Sequence, residues 1–121
     1  MMFNEYQILA AKTAQYPDVF LLSTQQKNKS IKVPAIYASL GLAGEAGEFA
    51  NKIKKVLRDT NGEISDELLK DLSKELGDVL WYVATCATEL DLHFDNIAKD
   101  NIAKLFDRKE RGVIRGSGDN R

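Results

Sequence analysis

The chain has 121 residues, of which 44% are hydrophobic and 29% charged, and its formal net charge is −1. It reads as one soluble domain, long enough for a core and too short for two. The near-neutral balance and the single aromatic among the C-terminal bases argue against a nucleic-acid reader; no apolar run reaches the length of a membrane span, and Met1-Met2-Phe3-Asn4-Glu5 does not read as a signal peptide. The single cysteine, Cys86, has no Cys or His at ligand spacing and reads as a packed thiol in a reducing cytoplasm.

A first helix is expected from Asn4, a good N-cap, to Tyr16, where Pro17 stops it. Tyr6, Ile8, Leu9 and Ala10 give it an apolar side. Residues 17–33 read as a loop in which Phe20, Leu21 and Leu22 pack, whereas Gln25 to Ser30 is polar and expected to be mobile. A connection that long is unusual in a compact domain and hints at function or disorder. Pro34 fits the first turn of a second helix running to Thr60, with Asn61-Gly62 as its stop. Its buried side is expected to be Leu42, Ala43, Ala46, Phe49, Ala50, Ile53, Val56 and Leu57. Gly41, Glu45, Glu48, Lys52 and Lys55 form a separate stripe. Gly44 and Gly47 cost roughly 1 kcal/mol each relative to Ala in mid-helix. Their expected use is the close approach of another backbone or of a ligand beside the carboxylates.

Ser65 can cap a third helix, with Asp66 and Glu67 at its positive end. Leu68, Leu69, Leu72, Leu76, Val79, Leu80, Val83, Ala84 and Ala87 make its core stripe, which ends near Leu90; Asp71, Glu75, Asp78 and Tyr82 form a second stripe. A fourth helix is expected from Phe94 to Arg111, with Gly112 past its end. Ile97, Ile102, Leu105 and Phe106 are its apolar positions, and Asn101, Lys104 and Arg108 line one side. The expected fold is therefore all-α, an antiparallel helical bundle of four main helices occupying residues 1–112, with 113–121 as a flexible tail. Helices of roughly 25 residues span about 37 Å. So small a chain cannot wrap them, so the bundle is expected to be completed by homo-oligomerisation, as a dimer or tetramer.

Chemistry concentrates in Glu45-Ala-Gly-Glu48 and Glu75-Leu-Gly-Asp78. Within each motif the carboxylates sit one turn apart on one helical face. Carboxylates that close repel one another unless a cation neutralises them, so two such pairs on neighbouring helices could form a nest for hard, oxygen-loving ions. The bland reading is two solvated acidic faces, but Ala, Gly and Leu surround these acids, rather than other charges. Charge is also uneven. Residues 1–98 carry 10 Lys/Arg against 14 Asp/Glu, while residues 99–121 carry seven bases against four acids. An acidic body with a basic C-terminal segment suits a metal-bound polyanion.

The chain resembles the MazG-like all-α nucleoside triphosphate pyrophosphohydrolases, a phage and bacterial branch in particular. The resemblance rests on Glu-x-x-Glu then Glu-x-x-Asp, matched by Glu45, Glu48, Glu75 and Asp78. It extends to Gly41-Leu-Ala-Gly-Glu-Ala-Gly-Glu48, Lys-Ile-Lys-Lys55, Glu75-Leu-Gly-Asp-Val-Leu-Trp-Tyr82, Asn101-Ile-Ala-Lys-Leu105 with Arg108, and the Gly-Ser-Gly-Asp-Asn-Arg121 ending. It implies hydrolysis of a nucleoside triphosphate between the α and β phosphates. Mg²⁺, with Mn²⁺ as substitute, would be held by the catalytic acids Glu45, Glu48, Glu75 and Asp78. Lys52, Lys55, Lys104 and Arg108 would face the phosphates, Asn101 and Tyr82 would hydrogen-bond phosphate or sugar, and Trp81 or Tyr37 would stack on a base. Charge and hydropathy leave no nucleic-acid or membrane partner expected. Many relatives have a further Glu where this chain has Gly44, which leaves the number of metals and the identity of the base open.

Three other readings share parts of this pattern. A di-iron bundle wants Glu-x-x-His, whereas the only histidine, His93, follows Glu89 by four residues and reads as a cap or surface residue. A sister activity, dUTP or phosphoribosyl-ATP hydrolysis, shares the acids. A non-enzymatic helical dimerisation or regulatory module would leave the acids merely solvated.

Overall fold

The structure, a computed structural model, describes residues 1–16 and 31–121. Among these are four helices and no strand: α1 (Phe3–Ala11), α2 (Val33–Thr60), α3 (Asp66–Glu89) and α4 (Phe94–Glu110). The expected all-α architecture is therefore the observed one. The expected loop packing of Phe20, Leu21 and Leu22 and the mobility of Gln25 to Ser30 lie outside the described residues.

Helix boundaries follow local chemistry. Pro34 stands in the first turn of α2, and Asn61 closes that helix in the left-handed conformation at φ 53°. The side chain of Ser65 accepts from the Leu68 N–H at 3.1 Å and so caps α3. The first helix departs from expectation at both ends. It begins at Phe3, where Glu5 reaches back to accept from the Met2 N–H at 2.8 Å, and it ends at Ala11 rather than Tyr16. The reason is Thr13. Its hydroxyl donates to the Ala10 carbonyl at 2.8 Å, and the backbone tightens into bonds from Thr13 N to Ala10 O and from Ala14 N to Ala11 O.

Asn4, expected as a local cap, instead ties two helix starts together. Its N–H donates to Asp95 Oδ1 at 3.2 Å, and its Oδ1 accepts from the Asp95 N–H at 3.1 Å. Gln7 adds a second tie by accepting from the Phe94 N–H at 3.0 Å and donating to the Leu92 carbonyl at 2.8 Å. The unpaired N–H groups at the start of α4 are thus satisfied by side chains of α1. His93, at the N-cap position, makes no side-chain cap bond and is exposed.

The main packing is α2 against α3, antiparallel, with α1 laid on α3 and, more lightly, on α4. Among the described residues the buried apolar ones are few: Ala10, Ala35, Ala38, Val56, Leu72, Ala84, Ala87 and Phe94. Much of the expected apolar surface stays open. Leu57 on α2 is 68% exposed, Leu69 and Leu76 on α3 are about half exposed, and Phe106 on α4 is 59% exposed. No helix among the described residues is long and apolar enough to cross a membrane.

Candidate functional site

The antiparallel register of α2 and α3 turns the two polar stripes toward each other. At one end the Tyr82 ring lies over Gly41, and further along Lys52 Nζ of α2 meets Glu75 Oε1 of α3 at 2.7 Å. Between these contacts, Glu45, Glu75 and Asp78 each offer a carboxylate oxygen, and the three oxygens lie within 4.8 Å of one another. Three of the four expected acids therefore converge. Glu48 is exposed and stands outside that group, one turn from Glu45 on the same helix.

Electrostatics reflect the crowding. Partial burial, then the charges of Asp78, Glu75 and Glu48, push the Glu45 carboxyl above its ordinary range. Lys52 is shifted upward by its hydrogen bond to Glu75, which outweighs the opposing effect of burial, and the charges of Glu75, Asp71 and Glu48 each add a smaller upward push. The cluster is an anionic pocket with one ammonium already drawn to its edge. An all-carboxylate donor set of this kind fits a hard divalent cation such as Mg²⁺ or Mn²⁺, for which oxygen is the preferred ligand.

Tyr82 depends on its glycine. A Cβ at Gly41 would fall inside the Tyr82 ring, whereas Cβ atoms at Gly44, Gly47 and Gly77 would meet nothing within 4 Å. The expected close approach of another backbone to Gly44 and Gly47 is thus not made within the described part of this chain, and the space beside the carboxylates is open. We expect Gly41→Ala to lower stability by about 1–3 kcal/mol through overpacking. Gly44→Ala should raise it by about 0.5–1 kcal/mol by removing a mid-helix glycine. Urea melts of the two variants check this; equal effects would mean that Tyr82 does not sit over Gly41.

The remaining expected residues divide into two groups. Lys52 and Lys55 line a cavity of about 260 Å³ between α2 and α3, with Asp59 and Asp71 on its walls. Trp81 is half-buried against the core; its indole N–H donates to Thr13 Oγ1 at 2.8 Å, and its ring meets Tyr82 edge-on at 4.9 Å. Tyr37 is partly open and makes an edge contact with Tyr16 at 5.9 Å. The second group lies on α4. Asn101 is exposed, and Lys104 and Arg108 make their ion pairs with Asp119 of the C-terminal segment, at 3.5 and 3.2 Å, rather than with the convergent acids.

Three residues near these groups were not singled out from sequence. Thr13 holds the Trp81 indole, Asp119 holds the α4 cations, and Tyr6 of α1 feels the Asp78 charge, which adds to burial in raising its hydroxyl pKa. Asp119 left one signal, a lone acid in a glycine-rich stretch following a run of bases. Thr13 and Tyr6 left none, because only packing brings α1 to α3.

The chain is similar to known proteins along most of its length. The sequence profile of the MazG nucleotide pyrophosphohydrolase domain matches residues 37–113, a stretch that holds most of α2, all of α3 and α4, and all four acids. The chain is 48% identical over 121 residues to the Gene 37 protein of Mycobacterium phage L5, with both chains covered in full. No solved structure matches it. With a family profile spanning well over half its length and two acidic motifs facing each other across α2 and α3, the chain belongs to the MazG nucleotide pyrophosphohydrolase family.

Proposed function

We propose that the protein hydrolyses nucleoside triphosphates, ribo or deoxy, to the monophosphate and pyrophosphate in a Mg²⁺-dependent reaction that cleanses the nucleotide pool. The observation that carries this reading is the convergence of Glu45, Glu75 and Asp78 on facing helices within a MazG domain. These three, with Glu48 able to join by turning its side chain inward, are the residues that would hold the metal. When bound, the metal would neutralise the triphosphate and acidify a water. Lys52, Lys55, Lys104 and Arg108 are the cations for phosphate oxygens, Tyr82 and Asn101 the donors to phosphate or sugar, and Trp81 or Tyr37 the aromatic surface for a base. The setting is cytoplasmic, in keeping with the free Cys86. The test is incubation with a panel of nucleotides and Mg²⁺ followed by identification of products. Monophosphate plus pyrophosphate supports the reading, orthophosphate release refutes the cleavage position, and turnover confined to dUTP or phosphoribosyl-ATP would assign the sister activity.

The functional unit we propose is a homo-oligomer, a dimer or tetramer. A second copy of the chain is the occupant that suits the open apolar positions, Leu40 and Leu57 of α2 and Ile102 and Phe106 of α4, all more than half exposed. Most of the buried apolar residues among those described are alanines, and the large apolar side chains that stay open suit a covering partner. Sedimentation at micromolar concentration should show the oligomer; a monomer throughout would remove this part of the reading.

A further inference from the structure

Arg108 is 4% exposed, although residues 99–107 around the same helix are all exposed. Its Nη2 donates to the Asp119 carbonyl oxygen at 2.8 Å and to Asp119 Oδ1 at 3.2 Å, and Lys104 Nζ lies 3.5 Å from that same Oδ1. One carboxylate thus bridges two cations that stand a helical turn apart. Arg108, then Lys104, holds the Asp119 carboxyl below the usual carboxylate range.

The segment that delivers Asp119 is a built loop. Gly116 and Gly118 take φ of 135° and 82°, conformations that L side chains rarely adopt. The Arg121 guanidinium folds back to donate to the carbonyls of Val113, at 3.3 Å, and Gly118, while Arg111 donates to the Arg121 carbonyl at 2.9 Å. A side chain at Gly116 would press on Arg121 Cδ at 3.1 Å. Yet the Asp119 side chain itself is 86% exposed. A covered guanidinium is therefore held by Asp119, through its main-chain carbonyl and through a carboxylate that solvent, or a stronger anion, can reach.

We propose that residues 116–121 form an autoinhibitory strap in which Asp119 occupies Lys104 and Arg108 as a phosphate would, so that an incoming phosphate chain must lift it. The proposal rests on the reading of those two cations as phosphate ligands. With the strap down, Arg108 has no open face for a phosphate; either it never touches one, or the strap moves. A competitor of this kind lowers the apparent affinity of every anion by the same factor, the fraction of chains with the strap open. An ion pair whose carboxylate is 86% exposed is weakened by solvent, so that factor is modest, roughly three- to tenfold.

The test is calorimetric titration of the full chain with pyrophosphate and with inorganic triphosphate at fixed ionic strength. Asp119→Asn, a chain ending at Arg115, and Lys104→Ala are titrated alongside. The shortened chain should bind both anions about three- to tenfold more tightly, and Asp119→Asn, which keeps the main-chain bond to Arg108, should gain less, each variant by matching factors for the two anions, while Lys104→Ala binds them more weakly. In the full chain, pyrophosphate should also speed tryptic cleavage after Arg115. If the two tail variants bind more weakly or unchanged while Lys104→Ala still weakens binding, the strap is overturned and the cation reading stands. If only one anion gains, Asp119 is not a simple competitor and the strap is likewise overturned. If Lys104→Ala leaves both affinities unchanged, the cation reading itself fails and the strap falls with it.

Discussion

Mg²⁺ or Mn²⁺ at a hundredfold excess over its dissociation constant should raise the melting temperature by about 10 °C. Mass action on the folded state contributes about 2.7 kcal/mol at that excess, and a domain of this size gains a few degrees per kcal/mol. The motive is the crowding of Glu45, Glu75 and Asp78 within 4.8 Å; burial first, and then these neighbouring charges, raise the Glu45 carboxyl, and a cation would relieve the repulsion. Asp78→Asn should abolish most of the gain. In EDTA the same variant should melt no lower than the parent, because it removes a charge that repels its neighbours Glu45 and Glu75 and has no ion pair among the described residues. Glu75→Gln should also lose the gain but melt lower without metal, since it breaks the 2.7 Å bridge to Lys52. Glu48→Gln should reduce the gain by less, because its carboxylate must first swing into the group. Calorimetry that finds no metal binding, even with a nucleotide analogue present, would remove the metal site.

Lys104→Ala should lower kcat by roughly a hundredfold to a thousandfold while leaving the melt nearly unchanged. A fixed cation beside a transferring phosphoryl group gains strength as charge develops there, and loss of one such group commonly costs about 3–4 kcal/mol of transition-state stabilisation. Its contribution to the fold is small, because its side chain is 42% exposed and its ion pair to Asp119 is long. Arg108→Ala should differ in kind. Its side chain is 5% exposed and bonded to the tail, so that variant should lose both activity and the folded C-terminal loop. Steady-state kinetics on the substrate found by product analysis, run beside thermal melts, separates the two. Unchanged turnover in Lys104→Ala would make the basic segment a solvated surface.

Helices α2 and α3 could be read from the chain almost to the residue, because everything that bounds them is local. Pro34, Asn61-Gly62 and Ser65 act on their own neighbours, and the acid stripes follow from the helical repeat alone. The same repeat placed Glu45 with Glu48 and Glu75 with Asp78 on single faces, so the candidate metal site was foreseeable once the two helices were assumed to pair. Beyond that point local rules lose their hold. The end of α1 at Ala11 depends on Thr13, whose hydroxyl is shared between its own helix and the Trp81 indole 68 positions away. The start of α4 is capped by Asn4 and Gln7, which no window of sequence around Phe94 contains. Convergence of three acids rather than four, and capture of Lys52 by Glu75, depend on which side chains the antiparallel register sets level. The return of Asp119 to Arg108 needs two glycines at positive φ and an arginine folding back on them. A run of Gly, Ser, Asp and Asn suggests only a turn, and its partner is chosen by where α4 ends in space. Helical periodicity is a property of neighbours along the chain, while these contacts belong to surfaces that exist only after the helices have packed.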